Sequence, residues 1–475
     1  MVHRSKRRAA GAEAFLSVYN RLPCLLEGSV DDATPDFPAL HAAHLKVLRA
    51  RFDRALAASG YSAVLVYSGG LAPIFGDDQD HPFRVNAWFK AWVPLTHVPD
   101  CFLYYEPGRS PVLLFHRPVD FWHLPADLPE SWWTREIEVK PIASRAAARS
   151  ALPLDLRRVA CLGEPFPEAA AWGLACNPPS LRTRLEFDRA FKTAYELACL
   201  RRANRLAAQA HIAASQAFAA GASEREIELE FLRASRLREQ ELPYNPIVAL
   251  NEHGAALHYQ RLDPLPPPTR HSLLIDAGVE SEGYASDITR TYSFADAGFA
   301  ALIEGFDAVQ QALCAGVHAG VDWRDVHLTA HRLVAEFLHE ADITTCDAEE
   351  AVATGVSSVF LPHGIGHLLG LQVHDVGGLL RSPEGGEIPR PPGHPYLRLT
   401  RVLEEGFVVT MEPGIYFIES LLDEARADSR AGRINWTRVE QLRRFGGIRI
   451  EDDLAVTAAG AENLTRDAFV AVRAA

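Results

Sequence analysis

The sequence predicts an α+β protein built from two domains, a smaller N-terminal α/β domain over residues 1–182 and a larger C-terminal domain over residues 183–475. The chain has 475 residues, which is too long for one ordinary domain and comfortable for two. Strand-like and helix-like segments alternate up to about residue 165, as in a compact α/β domain, and mix irregularly after it. Between these regions, residues 176–185, CNPPSLRTRL, have the composition of a linker.

Apolar patterning and turn residues define the N-terminal elements. Residues 40–60 have the pattern of an amphipathic helix that ends at Gly60. A strand follows at 62–69, SAVLVYSG, and the apolar runs CFLYYE and PVLLFH within 101–116 predict two more. This alternation favours an α/β domain.

The C-terminal domain is predicted to begin with two helices. The first runs from about Lys192 and stops at Gly221. Ser223 and Glu226 form the capping box of the second. Strands and helices then mix to the end of the chain, as expected for an α+β arrangement.

Composition and charge limit the classes of partner. The net charge is −13 and the pI is about 5.8, which argues against nucleic acid or an anionic membrane as the main partner. The seven cysteines form no CxxC pair, so we expect reduced thiols and a cytoplasmic protein. No apolar run is long enough for a signal peptide or a membrane span. The basic segment from Arg4 to Arg8 is interpreted as a disordered tail.

Two acidic residues in the segment 272–294 are predicted to lie close together. A symmetric hairpin around Ser281, Glu282 and Gly283 places Asp276 opposite Asp287, about 5 Å apart on one face. Such a pair can share a proton, bind a multivalent cation between the carboxylates, or lose one carboxylate to solvent at a bulge. This segment alone leaves the three alternatives open.

Three further segments favour the cation. The glycine-rich stretch HGIGHLLGLQVHD, 363–375, carries three histidines on backbone that is predicted to be extended. Glu412 and Glu451 each lie in an apolar strand, where a carboxylate is costly to bury without a partner or a metal. We therefore predict two divalent metal ions, and this hard donor set favours Mn²⁺, with Co²⁺ or Zn²⁺ as substitutes, over a soft-metal site. The predicted metal ligands are Asp276, Asp287, His367, Glu412 and Glu451.

A second pair of histidines has the spacing of metal ligands. His327 and His331 lie four residues apart in a helix predicted over 323–341. They border its apolar stripe, and we interpret them as a solvated helix edge.

The acidic and glycine-rich motifs resemble those of a known family. LLIDAG…SDITRTY, PHGIGHLLGLQVHDVGG, VVTMEPGIYF and GGIRIEDD, within about 240–457, resemble the metallopeptidases with the pita-bread fold, which include prolidase, aminopeptidase P and methionine aminopeptidase. YNPIVAL with LHY, and FGDDQDHPFRVNAWFKAWVPL with FHRPVDFWH, resemble the bacterial prolidases in particular. The resemblance implies a C-terminal pita-bread catalytic domain and a metal-dependent Xaa-Pro dipeptidase.

The resemblance also implies roles for the predicted ligands. Asp276 would hold one metal, and Asp287 and Glu451 would bridge both. His367 and Glu412 would complete the second metal site. A hydroxide that bridges the metals would then attack the carbonyl before proline.

Catalytic roles follow from the same resemblance. Glu412 would shuttle the proton of the attacking water, and His363 and His374 would contact the substrate and the developing oxyanion. The alternative for these two histidines is a structural role behind the metal ligands.

Substrate-binding residues are implied in both domains. Arg398 would bind the C-terminal carboxylate of a dipeptide. Arg401 is nearby, and its alternative interpretation is a surface arginine. His258 and Tyr244 would line the proline pocket. In a homodimer, Asp78 would reach the partner's site and bind the substrate amino group.

Two rival functions stay open at this stage. Aminopeptidase P shares the fold and metals but takes longer peptides, and it should lack the Arg398 contact. A non-catalytic relative that binds peptides would typically lack metal ligands, and none is missing here. A side activity on organophosphorus esters is a further expectation, because tetrahedral phosphorus resembles the transition state of peptide hydrolysis.

Overall fold

The computed structural model describes residues 35–122, 124 and 126–474. The basic N-terminal segment from Arg4 to Arg8 lies outside the described residues. Within them, no helix is both long and apolar enough to cross a bilayer.

A six-stranded mixed sheet organises the N-terminal half. Its spatial order is β4-β3-β2-β1-β5-β6. β1 runs antiparallel to β2 and parallel to β5, and β3 runs parallel to β4. The strands are β1 Ala63–Tyr67, β2 Phe102–Tyr105, β3 Val112–His116, β4 Glu138–Ile142, β5 Val159–Leu162 and β6 Ala175–Cys176. The helices of this half are α1 Phe37–Ser59, α2 Ala87–Lys90, α3 Arg145–Ala148, α4 Glu168–Trp172 and α5 Pro179–Asp188.

Helix α1 confirms the amphipathic pattern. The Asp36 side chain accepts a hydrogen bond from the Ala39 amide at the N-terminus, and Gly60 ends the helix with φ 78°. Leu48 and Phe52 on its inner face belong to a core that also contains residues of the C-terminal half. The two halves therefore share apolar packing.

The predicted linker is largely helical. α5 covers most of residues 176–185, and Pro178 and Pro179 fit its start because proline favours the first helical turn. The domain boundary at 182/183 stays a prediction.

The C-terminal half surrounds several short, curved sheets with helices. Its strands are β7 Ile247–Leu250, β8 Ser272–Asp276, β9 Glu280–Ser281, β10 Tyr284–Ala285, β11 Thr289–Ser293, β12 Leu380–Ser382, β13 Gly385–Glu387, β14 Val408–Met411, β15 Gly414–Tyr416, β16 Gly447–Arg449, β17 Asp452–Val456 and β18 Ala461–Asn463. Its helices are α6 Ala194–Ala220, α7 Glu224–Ser235, α8 Ala297–Ala315, α9 Trp323–Glu340, α10 Ala348–Ala353, α11 Val356–Phe360, α12 Glu419–Ala427, α13 Trp436–Leu442 and α14 Leu464–Ala474. Short 3-10 helices occur at Trp132–Glu136, Arg149–Ala151, Glu239–Glu241, Asn251–Ala255, Ala431–Arg433 and Arg443–Phe445.

Helices α6 and α7 confirm the predicted termini. Gly221 ends α6 with φ 108°. In the capping box of α7, the Glu226 amide donates to the Ser223 hydroxyl and the Ser223 amide donates to the Glu226 carboxylate. These helices pack against the sheet of β7, β8 and β11, whose inner side chains form one core cluster.

Candidate metal centre

Asp276 and Asp287 belong to a hairpin whose turn is tighter than the sequence suggests. Glu282 and Gly283 both have positive φ, 51° and 91°, as in a two-residue type I′ turn. Asp276 therefore pairs with Thr289, and the predicted pairing of Asp276 with Asp287 is wrong. The two-residue shift keeps both aspartates on the same face of the hairpin, because side chains alternate between faces.

The Tyr244 hydroxyl joins the two aspartates. Its oxygen lies 2.9 Å from Asp276 Oδ1 and 2.6 Å from Asp287 Oδ1. One hydroxyl proton cannot donate to both carboxylates at the same time. In the metal-free protein, the arrangement is therefore satisfied when one of the carboxyls carries a proton, which is the first of the alternatives for this pair.

His367 faces the carboxylates through one ring nitrogen. Its Nε2 lies 3.4 Å from Asp287 Oδ2 and 3.5 Å from Glu412 Oε1. Its Nδ1 lies 3.0 Å from the Leu368 carbonyl, which fixes the proton on Nδ1 and leaves Nε2 for a metal. Gly366 permits this position, because a Cβ there would lie 2.1 Å from the Thr410 carbonyl oxygen.

The two glutamates lie where strands are interrupted. Glu412 separates β14 from β15, and Glu451 separates β16 from β17. Glu451 accepts a hydrogen bond of 2.7 Å from the Thr289 hydroxyl on the neighbouring hairpin. One donor atom each of Asp287, His367 and Glu451 lies within 4.8 Å of the others. The structure thus brings together the residues that the sequence proposed as ligands.

Burial and mutual repulsion perturb every acid at the core of this cluster. Burial raises the pKa of Asp287, of Glu412 to about 7 and of Glu451 well above its usual range, and neighbouring carboxylates add to each rise. For His367, burial alone would lower the pKa, but the Asp287 and Glu412 carboxylates raise it to about 9. Divalent cations would remove this repulsion, and the oxygen-rich donors with one imidazole fit such ions.

Arg449 is a residue of the site that the sequence interpretation missed. Its guanidinium donates to Asp276 Oδ2 at 2.7 Å, to the Tyr416 hydroxyl at 3.0 Å and to the Thr289 hydroxyl at 3.2 Å. It is buried, and the paired carboxylate offsets its charge. The signal was present in the sequence, because Arg449 stands between two isoleucines and two residues before Glu451, where alternation predicts the same face.

His363 and His374 flank the carboxylates as neutral imidazoles. His363 Nε2 lies 2.8 Å from the Tyr416 hydroxyl, and its Nδ1 lies 3.8 Å from Glu412 Oε2. The His374 ring stands perpendicular to His367 with 4.5 Å between centroids. Burial lowers the pKa of His363 to about 4 and that of His374 to about 3. Both side chains are therefore uncharged hydrogen-bonding groups at neutral pH.

The predicted substrate residues differ in their exposure to solvent. His258 and Arg398 are exposed. Burial is the largest cause of the lowered pKa of His374, and the charges of His258 and Arg398 lie close enough to lower it further. Arg401 is instead buried, with its guanidinium 3.8 Å from the centroid of the Phe187 ring. The interpretation of Arg401 as a surface arginine is therefore wrong, because it packs against aromatic rings, and this packing favours Arg398 for the carboxylate.

Asp78 lies apart from these residues on an exposed turn of the N-terminal half. Its amide donates to the Asp77 carboxylate, and its own carboxylate accepts from Gln79. Within the described part of the chain, no contact links it to the carboxylate cluster.

A cleft of about 810 Å³ lies between the two halves of the chain and reaches the cluster at His374. Trp88, His97 and Arg182 line it from the N-terminal side, and Gln240 from the C-terminal half. The cleft gives a small polar ligand a route to the centre.

Two family models match the chain. The model for metallopeptidase family M24 matches residues 198–458, and the model described as the Xaa-Pro dipeptidase N-terminal domain matches residues 39–187. The chain belongs to metallopeptidase family M24. Together with the geometry above, this membership makes it a metal-dependent hydrolase of the pita-bread fold, as the sequence motifs indicated.

Similar proteins from other bacteria agree with this assignment. The Xaa-Pro dipeptidase of Xanthomonas axonopodis pv. citri is 49% identical over 438 residues, which cover 92% of this chain and 99% of that protein. The Xaa-Pro dipeptidase of Stenotrophomonas maltophilia is 46% identical over 434 residues, covering 91% and 98%. Within family M24, the chain therefore groups with the Xaa-Pro dipeptidases.

Solved structures show the same fold. Zn-substituted aminopeptidase P of Escherichia coli, in complex with product, has a TM-score of 0.65 at 24% identity, over 90% of this chain and 99% of that chain. Proline aminopeptidase P II of Yersinia pestis has a TM-score of 0.62 at 25% identity, over 92% and 100%.

Proposed function

We propose that this protein hydrolyses the bond before proline in dipeptides of the form Xaa-Pro. The observation that carries the proposal is the buried cluster of four carboxylates and His367 at the end of the cleft between the halves. The similarity to Xaa-Pro dipeptidases along 92% of the chain supports the same substrate class. A pair of divalent ions bound there would polarise the scissile carbonyl and activate water for attack.

The residues of the chain would divide the work around this centre. Asp287 and Glu451 group with His367 and would suit bridging positions. Tyr244 and Arg449 contact Asp276. Glu412 lies beside the proposed ligand His367, 3.5 Å from its Nε2, and would accept the proton of the attacking water and return it. His374 would hydrogen-bond the substrate carbonyl. The ring nitrogens of His363 contact the Gly364 carbonyl and the Tyr416 hydroxyl, so His363 would reach the substrate only by giving up one of these contacts.

Arg398 is the residue that we propose for dipeptide specificity. It is exposed near His374 and can form a bidentate contact with the carboxylate of a C-terminal proline. His258 lies beside the same histidine and would line the proline pocket. Tyr244, which the sequence interpretation also assigned to this pocket, contacts Asp276 and Asp287 instead, so we propose that it positions the metal ligands.

The test compares Leu-Pro with Leu-Pro-Ala on protein loaded with Mn²⁺, and a chelated sample serves as the blank. Cleavage of the dipeptide alone, lost on chelation, is the expected result. Arg398→Gln should raise the KM for Leu-Pro about 10- to 100-fold through loss of a charge-assisted contact. The matched control is Arg381→Gln, another exposed arginine of the same segment. Equal cleavage of the tripeptide would move the assignment to aminopeptidase P.

We propose Mn²⁺ as the preferred metal, with Co²⁺ and Zn²⁺ as substitutes. Four carboxylate ligands and one imidazole are hard donors that suit manganese better than thiolate-preferring metals. Metal analysis of protein purified without added metal, together with activity after reloading with each ion, tests this order. Higher activity with Zn²⁺ than with Mn²⁺ at saturation would contradict it.

We propose that two copies of the chain form a homodimer through the N-terminal half. β1 and β3 run in the same direction, so the loops that follow them leave the same edge of the sheet. These loops carry strongly exposed apolar side chains, namely Leu71, Phe75, Val119, Phe121, Trp122 and Leu124. An apolar surface of this kind favours a protein contact. Light scattering of Phe75→Asp should show a monomer where the wild type is a dimer.

Asp78 would act across this dimer. It lies three residues from Phe75 on the same exposed turn, so it can reach the site of the partner and bind the amino group of the substrate. Asp77 and Asp80 are the neighbouring alternatives. Asp78→Asn should raise the KM for Leu-Pro more than Asp77→Asn or Asp80→Asn does, and equal effects would contradict the assignment.

We also propose a side activity on organophosphorus esters and a cytoplasmic location. The same centre would stabilise attack at tetrahedral phosphorus. Release of nitrophenol from a diethyl nitrophenyl phosphate, absent in Glu412→Gln, would support the side activity. The cytoplasmic location is supported by free cysteines, including four that are buried, and cell fractionation would test it.

A further inference from the structure

Three histidines outside the candidate metal centre converge in the C-terminal half. His327 and His331 lie one turn apart on α9, and His394 belongs to the loop after β13. The ring centroids are separated by 4.8 Å for His327 and His331, and His394 lies 4.5 Å from each of them. One ring nitrogen of each histidine lies within 4.8 Å of the others. The three imidazoles thus form a compact triangle.

Two histidines of this triangle are buried, and three of their four ring nitrogens lack partners among the described residues. His327 and His331 are each 1% exposed, so the interpretation of this pair as a solvated helix edge is wrong. The loop with His394 packs over that face of α9. Among the described residues, three ring nitrogens have no hydrogen-bond partner, namely both of His327 and Nε2 of His331. His331 Nδ1 contacts the Ser357 hydroxyl at 3.0 Å.

Buried imidazoles without partners need an explanation. Every neutral imidazole carries one N–H donor and one acceptor, and both are normally satisfied when the side chain is buried. Here three rings meet around a common point with unpaired nitrogens and with no carboxylate or thiolate in the cluster. That donor set selects a borderline divalent ion rather than a hard ion such as Mn²⁺.

We propose that His327, His331 and His394 bind one zinc ion, distinct from the two ions of the carboxylate centre. Three histidines satisfy three positions of a tetrahedral zinc and leave the fourth for water. Spacing of four residues on a helix presents two rings to the same ion. Tetrahedral coordination needs nitrogen atoms about 3.3 Å apart. The ring nitrogens of the triangle lie within 4.8 Å of one another, and His394 can move closer to the other two because it is only half-buried and lies on a loop.

The protonation of the cluster agrees with a metal site. Burial lowers the pKa of His331 to about 3, and that of His327 well below its ordinary value. Both rings are therefore deprotonated ligands at neutral pH. The site would fasten the loop of His394 to α9. Arg398 follows four residues later, so zinc would also fix the segment that we propose for carboxylate binding.

The test counts zinc ions per chain by native mass spectrometry after zinc loading and buffer exchange. His394→Gln and His331→Gln should each bind one zinc fewer than the wild type. The matched control, His339→Gln, replaces an exposed histidine on the same helix and should keep the wild-type count. Because His394 is half-buried on a loop, its replacement leaves the core of the fold in place.

The readout is a difference between variants, so it does not depend on how many ions the carboxylate centre holds or on peptidase activity. A His394→Gln variant with the zinc count of the wild type would overturn the proposal and would leave water as the occupant of the triangle. An equal loss in His339→Gln would overturn it as well, because the lost ion would then bind elsewhere.

Discussion

Glu412 gives the metal-free protein a pH dependence that can be measured. Burial and the neighbouring Asp287 carboxylate raise its pKa from the ordinary value of 4.5 to about 7. Folding therefore favours the protonated form. Its contribution to stability is complete below pH 4.5 and is lost as the pH rises through 7. At about 1.4 kcal/mol for each tenfold change in proton affinity, the loss is about 3 kcal/mol.

The measurement is urea unfolding of chelator-treated protein at pH 5 and pH 8. Between pH 5 and pH 8, the free energy of unfolding of the wild type should fall by about 2 to 3 kcal/mol more than that of Glu412→Gln, because the amide does not titrate. Glu405→Gln, which replaces an exposed glutamate nearby, is the matched control and should behave as the wild type. Saturating Mn²⁺ should remove the difference, because a coordinated carboxylate is ionised at both pH values.

If metal-free Glu412→Gln and the wild type lose the same free energy between pH 5 and pH 8, then the Glu412 carboxyl is ionised throughout this range. In that case, burial and the neighbouring carboxylates would not control the protonation of Glu412.

Three further predictions concern the supports of the centre. Arg449→Met should lower the free energy of unfolding of metal-free protein by about 3 to 5 kcal/mol in urea, because Asp276 loses its paired guanidinium. The control is Arg157→Met at an exposed pair, which should change this free energy little. Tyr244→Phe should weaken Mn²⁺ binding about 10- to 100-fold by calorimetry, because it removes the hydroxyl that holds two ligands, and unchanged affinity would contradict that role. Removal of metal by a chelator should lower the Tm, and Mn²⁺ should restore it by binding the folded state only; a Tm independent of metal would count against a preformed site.

The residue types of the site were predictable from the sequence because charge in an apolar strand is costly. Glu412 and Glu451 are conspicuous for that reason, as are the two aspartates. The sequence did not show that both glutamates lie at strand interruptions, where the backbone leaves one ladder and enters another. Those interruptions depend on the partners that each strand finds in three dimensions.

The hairpin register shows how one residue can mislead an argument from symmetry. The predicted pairing of Asp276 with Asp287 requires a turn centred between Ser281 and Glu282. The observed turn uses only Glu282 and Gly283 and shifts the pairing by two residues. Periodicity fixes which face a side chain occupies, and that part of the prediction is confirmed. The choice between turn lengths depends on backbone torsions, and Glu282 gives little sign of adopting a positive φ.

The histidines of α9 show a different limit. Helical periodicity places His327 and His331 at the edge of the apolar stripe, where they could face solvent. Their burial depends on the loop of His394, which follows them by more than sixty residues in the sequence. The sequence also did not predict α5, because a helix that starts with proline can have the same composition as a linker.

The positions of the candidate ligands along the chain have a consequence for folding. They run from Asp276 to Glu451 and come from four separate strand or loop segments. Such contacts are long-range and form late, because each closes a long loop of chain before it gains any stabilisation. The carboxylates would therefore meet only when the final strands are in place. A nascent chain that ends before Glu451 would contain four of the five candidate ligands and no centre, so synthesis of nearly the whole protein must precede its chemistry.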